Sequence, residues 1–173
     1  DPHLHRIAHL DEVMTGIPAI AASAAPALVQ AIASDLDPRT ILVGPDSESR
    51  PWVERIARPL GLDFLVGEKL RRGDRDVALD LPDIGKVRGR PAILIDDMIS
   101  SGTTLMAAAR LLHEAGAAGV EAVVTHSLAS GADLDRFSGS GISRLRATDS
   151  TCHPVASIPL AEVLGEAIRG QGW

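Results

Sequence analysis

Runs of aliphatic and β-branched residues alternate along the chain with segments in which apolar residues recur at helical spacing. The aliphatic runs predict buried strands at residues 40–43, 62–66, 92–95, 120–125 and 142–147. The helical spacing predicts helices at residues 27–34, 50–60, 105–115, 132–137 and 160–169. Strands that alternate with helices indicate an α/β fold, a doubly wound parallel sheet with flanking helices. Residues 77–81 and 86–90 could pair beside this sheet as a hairpin flap.

The segment 92–104 joins a predicted strand to a predicted helix through polar residues. Asp96 and Asp97 follow the aliphatic run, and a small hydroxylated loop comes next: Ser100, Ser101, Gly102, Thr103 and Thr104. The unpaired N–H groups of a helix N-terminus can hold a phosphate, which the two carboxylates would repel. The carboxylates are better suited to sugar hydroxyls, a metal ion or a developing cation, and on opposite faces of a strand they should play different roles. The segment therefore indicates a sugar-phosphate site.

A second acidic loop follows the predicted strand 40–43. It consists of Pro45 and then Asp46, Ser47, Glu48 and Ser49. By itself this loop could be a helix N-cap with a glutamate in the first turn. In a parallel sheet, however, the carboxyl ends of the strands meet at one edge, where such sheets bind ligands. We therefore expect residues 45–49 to form a second wall of the same site.

Two other segments carry candidate chemistry, each with a simpler interpretation. Residues 68–76 are a charge run that includes Lys69 and Arg71. Such a run is usually a solvated loop, and the alternative is a mobile basic arm that closes over a polyphosphate. Residues 1–9 are either a solvated terminus or the source of a metal or phosphate contact from Asp1 and His3.

Composition narrows the possible partners. The chain has 173 residues, 45% of them hydrophobic, so it can bury a core as one domain. A formal charge of −6 argues against a broad nucleic-acid surface. No apolar run is long enough to span a membrane, so no membrane partner is predicted. Cys152 is the single cysteine, which excludes an intrachain disulfide and fits a reducing, cytoplasmic compartment.

Residues 93–104 resemble the phosphoribosyl-diphosphate (PRPP) motif of type I phosphoribosyltransferases and ribose-phosphate pyrophosphokinases. An apolar run, two acids, two apolar residues and the hydroxylated loop occur in the same order. From Asp1 onward, almost the whole chain is similar to the C-terminal part of a ribose-phosphate pyrophosphokinase. The resemblance implies a type I phosphoribosyltransferase-like fold with a flexible loop or hairpin flap. It also implies a reaction of ATP with ribose 5-phosphate that gives PRPP and AMP, with Mg²⁺ as the cofactor. The full-length protein is expected to be a homo-oligomer.

The same resemblance gives roles to individual residues. The family's flexible catalytic loop has a Lys and an Arg two residues apart, which match Lys69 and Arg71. The residues that match its ribose-5-phosphate loop are Asp96, Asp97, Ser100, Ser101, Gly102, Thr103 and Thr104. Its ATP and pyrophosphate contacts match Asp46, Ser47, Glu48, Ser49 and His3. The implied metal ligands are His3, Asp46 and Asp1.

The chain also departs from the family pattern. Ser47, Glu48 and Ser49 stand where the best-known members have Ala-Gly-Gly, so backbone contacts to pyrophosphate are in question there. The family's N-terminal domain supplies adenine-binding residues, and we expect this chain to be a fragment without it. The expected organisation is a remnant of that domain at 1–34, a phosphoribosyltransferase-like domain at 35–156, and a C-terminal helix at 157–173 that packs on the missing domain.

Two alternative functions stay open at this point. A phosphoribosyltransferase that consumes PRPP would share the central motif but needs a base-recognition hood, for which the sequence offers no candidate segment. A non-catalytic regulatory homologue would bind ribose 5-phosphate without forming AMP.

Overall fold

The main feature of the fold is a six-stranded parallel sheet. A computed structural model describes residue 1 and residues 9–71 and 77–170. Its strands are β1 (Ile41–Gly44), β2 (Asp63–Val66), β3 (Glu68–Arg71), β4 (Val77–Asp80), β5 (Pro91–Ile99), β6 (Gly119–Ser127), β7 (Ile142–Thr148) and β8 (Ala156–Ile158). The main sheet has the order β2-β1-β5-β6-β7-β8, and every neighbouring pair in it is parallel. The predicted α/β fold with a parallel sheet is confirmed, and all carboxyl ends of these strands lie at one edge.

Helices cover both faces of this sheet. They are α1 (Ala25–Ala33), α2 (Arg50–Leu60), α3 (Thr103–Glu114), α4 (Gly131–Ser138) and α5 (Ala161–Arg169). Short 3-10 helices lie at Leu10–Glu12, Ser47–Ser49 and Ile84–Val87. In the part of the chain that the structure describes, no helix is long and apolar enough to cross a membrane.

Two buried clusters lie on opposite faces of the sheet, and β5 contributes to both. Leu94 packs in the cluster that contains Leu105 and Leu112 of α3. Its neighbour Ile95 packs in the cluster that contains Leu28 of α1 and Val53 of α2. Burial on both faces is typical of a central parallel strand and explains why β5 begins as an uninterrupted aliphatic run.

The hairpin pairs differently from the prediction. We expected residues 77–81 to pair with 86–90, and this is wrong because β4 pairs antiparallel with β3. The connection between β3 and β4 is only residues 72–76, which favours local antiparallel pairing. Residues 84–87 instead turn locally, since Ile84 N–H donates to the Leu81 carbonyl at 3.1 Å and Val87 is fully buried.

Two strands differ from the predicted elements. The aliphatic run 92–95 is only the first part of β5, which continues through both acids because Met98 and Ile99 stay in register with β6. The short edge strand β8 was not predicted, since three residues carry too little periodic signal.

Helix α1 and the residue before α5 contribute to the buried cluster on the face covered by α1 and α2. Leu28 and Ile32 of α1 are fully buried in this cluster, and Leu160, just before α5, is 8% exposed. The predicted domain boundaries at 34 and 157 stay predictions. On α5 itself, Leu164 and Ile168 are 48% and 51% exposed.

Candidate active site

Asp96 and Asp97 lie near the carboxyl end of the central strand β5, on opposite faces of the sheet. By strand alternation Asp96 follows Leu94 on the α3 face, and Asp97 follows Ile95 on the face covered by α1 and α2. Asp97 is 7% exposed, and its backbone N–H donates to Asp96 Oδ1 at 3.0 Å. The two carboxylates therefore present different surroundings to a ligand, as expected from their adjacency in the sequence.

Asp96 has a strongly perturbed acidity. Burial, together with the negative charges of Asp97 and Asp46, raises the pKa of Asp96 from 3.8 to about 7, and burial is the largest of these causes. A carboxyl with this pKa is about half protonated near neutral pH. Near the carboxyl end of β5, the Asp96 carboxyl can therefore donate a hydrogen bond when it is protonated and accept one when it is ionised.

The hydroxylated loop leads into the N-terminus of α3. Gly102 has φ 68° and is the residue before the helix, so it has no side chain with which to cap the first turn. Ser101 Oγ and Thr103 Oγ1 are 3.1 Å apart and hydrogen-bonded. Ser100, Ser101 and Thr103 are exposed, and Thr104 is half-buried. The first-turn N–H groups and these hydroxyls can therefore donate to an anion, and the 12-residue helix adds the positive end of its dipole.

The loop after β1 lies beside this position, as expected for a second wall. Asp46 is 8% exposed, and its Oδ1 accepts the Glu48 N–H at 3.0 Å. Ser49 is buried, and its hydroxyl donates to the Asp46 carbonyl at 2.5 Å, whereas Ser47 and Glu48 are exposed. Because the charge of Asp46 affects the Asp96 carboxyl, the loop after β1 and the end of β5 converge.

Asp1 lies at the same edge, with its carboxylate engaged in structural contacts. Its Oδ2 accepts the Ala24 N–H at 2.8 Å, and its Oδ1 lies 3.5 Å from Arg55 Nη1. Its carbonyl is 2.9 Å from Nε2 of His126. These contacts fix the segment before α1 against the end of β6, and the role of Asp1 as a metal ligand stays a prediction.

His126 belongs to the site region, although sequence reasoning gave it no role. It lies near the end of β6, and its Nδ1 is 2.8 Å from Ser150 Oγ on the loop after β7. The signal that could have indicated it is its place at the carboxyl end of a predicted strand, next to two other such ends.

The roles of three predicted residues are not tested by this geometry. His3 lies outside the described residues. Lys69 and Arg71 are in β3, directly after β2, but only their backbone positions are described. Their assignment as catalytic cations therefore stays a prediction.

The acidic side chains of the site suit Mg²⁺ only when a bound substrate supplies further oxygen ligands. In residues 1, 9–71 and 77–170, no three His, Cys, Asp or Glu side chains are grouped closely enough to hold a metal ion. Mg²⁺, however, is usually held by one or two carboxylates together with substrate phosphates. Asp46, one of the implied metal ligands, can supply a carboxylate of this kind beside the proposed phosphate positions.

The class of protein follows from this fold and from a family match. The chain belongs to the phosphoribosyl transferase domain family, whose sequence model matches residues 14–150. That range contains both acidic loops and the hairpin, whereas Asp1 and His3 precede it.

Within that class, the resemblance to ribose-phosphate pyrophosphokinase is confirmed. The ribose-phosphate pyrophosphokinase of Chromobacterium violaceum is 32% identical over 171 residues, which cover 93% of this chain and 52% of the relative. That of Chlorobaculum tepidum is 29% identical over 141 residues, which cover 78% of this chain and 43% of the relative. The chain therefore spans about half the length of the curated relatives it matches.

Solved structures agree with the sequence relatives. The phosphoribosylpyrophosphate synthetase from Mycobacterium smegmatis superposes with a TM-score of 0.71 at 26% identity, covering 86% of this chain and 50% of that one. An adenine phosphoribosyltransferase from Trypanosoma brucei, in complex with AMP, pyrophosphate and ribose 5-phosphate, has a TM-score of 0.57 at 19% identity over 77% of this chain and 66% of that one. The second likeness shows the shared fold alone.

Proposed function

We propose that this chain carries the sugar-phosphate half of a ribose-phosphate diphosphokinase, which makes PRPP and AMP from ATP and ribose 5-phosphate. The observation that carries the proposal is the Asp96–Asp97 pair near the carboxyl end of β5, joined by a short hydroxylated loop to the uncapped N-terminus of α3. The similarity to ribose-phosphate pyrophosphokinases supports the choice of reaction within the family. The chain spans about half the length of those relatives, so we assign the complete reaction to the full-length protein.

In this proposal the sugar phosphate binds along residues 96–104. The phosphate accepts hydrogen bonds from the first-turn N–H groups of α3 and from the hydroxyls of Ser100, Ser101, Thr103 and Thr104. The ribose hydroxyls lie toward the carboxylates, which accept hydrogen bonds from them. Repulsion between carboxylates and phosphate then orients the sugar, with its C1 end away from α3.

The second substrate approaches from the loop after β1. Residues 46–49 would contact the ATP polyphosphate, and Asp46, with Asp1 and His3, would hold Mg²⁺. When bound, Mg²⁺ neutralises charge on phosphate oxygens. The C1 hydroxyl of the sugar attacks the β-phosphorus, the bond from that phosphorus to the α,β-bridging oxygen breaks, and AMP leaves as the hydroxyl proton is lost. Lys69 and Arg71 would stabilise the charge that develops on the transferred group, arriving from the hairpin.

The test is the affinity of the purified chain for ribose 5-phosphate by titration calorimetry. Thr104→Val removes a hydroxyl with little change in volume, and it should weaken binding by about 1–3 kcal/mol, the range for a hydrogen bond to a charged group. Thr40→Val is the matched control, because Thr40 is buried before β1, away from the carboxyl edge. Equal affinity of the Thr104 variant and the control would contradict this placement, and no binding by the unaltered chain would contradict the proposed function.

Binding without turnover in the full-length protein would instead favour the regulatory homologue. The observation that favours this second candidate is the inward-facing Ser49, whose hydroxyl bonds to the Asp46 carbonyl in a loop where the best-known members have glycine. The discriminating measurement is AMP release from ATP, Mg²⁺ and ribose 5-phosphate by the full-length protein.

A further inference from the structure

We propose that Phe137 of α4 is a positioning residue for the sugar-phosphate loop, acting through Gly102. This inference deepens the function proposed above, since it concerns the same loop, but its structural part stands on contacts alone. Phe137 lies 33 positions later in the sequence than Thr104, the last residue of the loop. Nothing in the loop's own sequence points to it.

The contact between Phe137 and Gly102 is direct. A Cβ atom built on Gly102 would lie 2.1 Å from Phe137 Cζ and 2.4 Å from Cε2, so the tip of the ring occupies the place of a side chain at position 102. The φ of Gly102 is 68°, in the left-handed region that favours glycine. Glycine is therefore required at position 102 for two independent reasons, one in the backbone and one in the packing.

The ring itself is held firmly from several sides. Phe137 is 4% exposed and belongs to the buried cluster that contains Ile99, Leu105 and Ala129. The loop between β6 and α4 is tied to the end of β5, because Leu128 N–H donates to the Ile99 carbonyl at 2.8 Å.

Both ends of α4 are also fixed. At the start, Ser130 N–H donates to Asp133 Oδ2 at 2.9 Å, and Ser130 Oγ accepts the Asp133 N–H at 3.2 Å. At the end, Ser140 Oγ donates to the Phe137 carbonyl at 2.7 Å. The helix therefore places the phenyl ring at a defined height under the loop.

The loop benefits from such a support because its own side chains provide little buried packing. Ser100, Ser101 and Thr103 are exposed, and the buried residue among them, Gly102, has no side chain of its own to pack. The ring of Phe137 packs where that side chain would lie. A loop held in its binding conformation before the ligand arrives avoids the entropy cost of ordering on binding. Phe137 should therefore raise affinity for a sugar phosphate without contacting it.

The two positions should be coupled in a double-mutant cycle. Phe137→Leu removes the tip of the ring and should weaken ribose 5-phosphate binding roughly tenfold, the loss expected if about one more residue must be ordered on binding. Gly102→Ala should weaken binding more, because its Cβ meets the ring. In the double variant the leucine leaves room for this Cβ, so the loss should be smaller than the product of the two single losses.

The experiment combines this cycle with amide hydrogen exchange of the ligand-free chain. Phe137→Leu should speed exchange of the Met106 amide, which donates to the Gly102 carbonyl at 2.9 Å, by tenfold or more, while exchange in the middle of β6 stays unchanged. Phe64→Leu is the matched control, since Phe64 is the chain's other phenylalanine and packs on the opposite face of the sheet. Phe137→Met, which fills similar volume without a rigid ring, gives a second variant if Phe137→Leu does not fold.

Each outcome bears on the proposal in one direction. Faster exchange of the Met106 amide with weaker binding and a coupled cycle supports it. Faster exchange of this amide in a chain that does not bind ribose 5-phosphate supports the positioning role and overturns the proposed function instead. Unchanged exchange of the Met106 amide, an additive cycle, or effects equal to those of Phe64→Leu would overturn the positioning role.

Discussion

Gly44 and Ser49 share one small space at the end of β1. A Cβ atom built on Gly44 would lie 2.2 Å from Ser49 Oγ and 2.9 Å from Val53 Cγ2. The serine hydroxyl points inward and donates to the Asp46 carbonyl at 2.5 Å. A side chain therefore braces the loop after β1 from inside, in the segment where the best-known members of the family have Ala-Gly-Gly.

The first prediction follows from that shared space. Gly44→Ala should destabilise the fold by about 1–3 kcal/mol, the usual cost of overpacking a filled site. The cost arises from packing, because Gly44 is not among the residues with positive φ in the described structure. Urea unfolding gives the free energies. The double variant Gly44→Ala/Ser49→Gly should recover part of the loss, and simple additivity of the two changes would contradict the shared space.

The second prediction concerns the pH dependence of stability. In the folded chain the pKa of Asp96 is raised from 3.8 to about 7. Between these values the folded state holds a proton that the unfolded state releases, so this group makes the free energy of unfolding fall as pH rises from about 4 to 7. This difference in the pKa of Asp96 between the folded and unfolded chain corresponds to at most about 4 kcal/mol in the free energy of unfolding.

Asp96→Asn tests that effect directly. The variant should lose this part of the pH dependence and should be more stable than the parent chain at pH 8, relative to pH 4. Urea unfolding at several pH values gives the comparison, with Asp80→Asn as the control at an exposed carboxyl on the hairpin. Parallel stability profiles for Asp96→Asn and the parent chain would rule out a raised pKa at this position.

The third prediction concerns the hairpin cations in the full-length protein. Lys69→Ala and Arg71→Ala should each lower kcat by roughly 10³-fold, as found for other cations that act in phosphoryl-transfer transition states, with a far smaller change in KM. Steady-state kinetics with ATP and ribose 5-phosphate give both constants. Lys86→Ala is the control, since Lys86 is exposed and pairs with Asp83 at 2.8 Å. A change confined to KM would mean that Lys69 and Arg71 bind substrate only.

The fourth prediction separates binding from turnover. The 173-residue chain should bind ribose 5-phosphate, because the groups proposed to bind it lie within residues 96–104. It should form PRPP poorly, since it spans about half the length of its relatives and transfer depends on in-line positioning of both substrates. An AMP-release assay decides the point, and turnover of about 1 s⁻¹ or more, the lower end of ordinary enzyme rates, would show that the chain forms an ATP site of its own.

The sequence by itself determined the order of elements and the place of the acidic loops. The helix predicted at 50–60 is found at Arg50–Leu60, where a proline in the first turn and Gly61 after the end are local signals. Asp46, Asp96 and Asp97 share one edge because each lies at or just after the carboxyl end of a strand in a chain of alternating strands and helices. Such a chain forms a parallel sheet whose strands all end on the same side, so local patterns were sufficient.

Tertiary structure alone decided the properties that depend on distant residues. Pairing with β6 sets the length of β5. The hairpin partner of β4 could have been the segment before it or the segment after it, and the hydrophobic pattern did not distinguish the two, whereas the structure pairs β4 with β3. The raised pKa of Asp96 requires burial and a charge from Asp46, which lies 50 positions away in the sequence. The contact of Phe137 with Gly102 joins two elements that share no sequence signal. Burial and the proximity of charges are non-local quantities, fixed only when the sheet and its helices pack together.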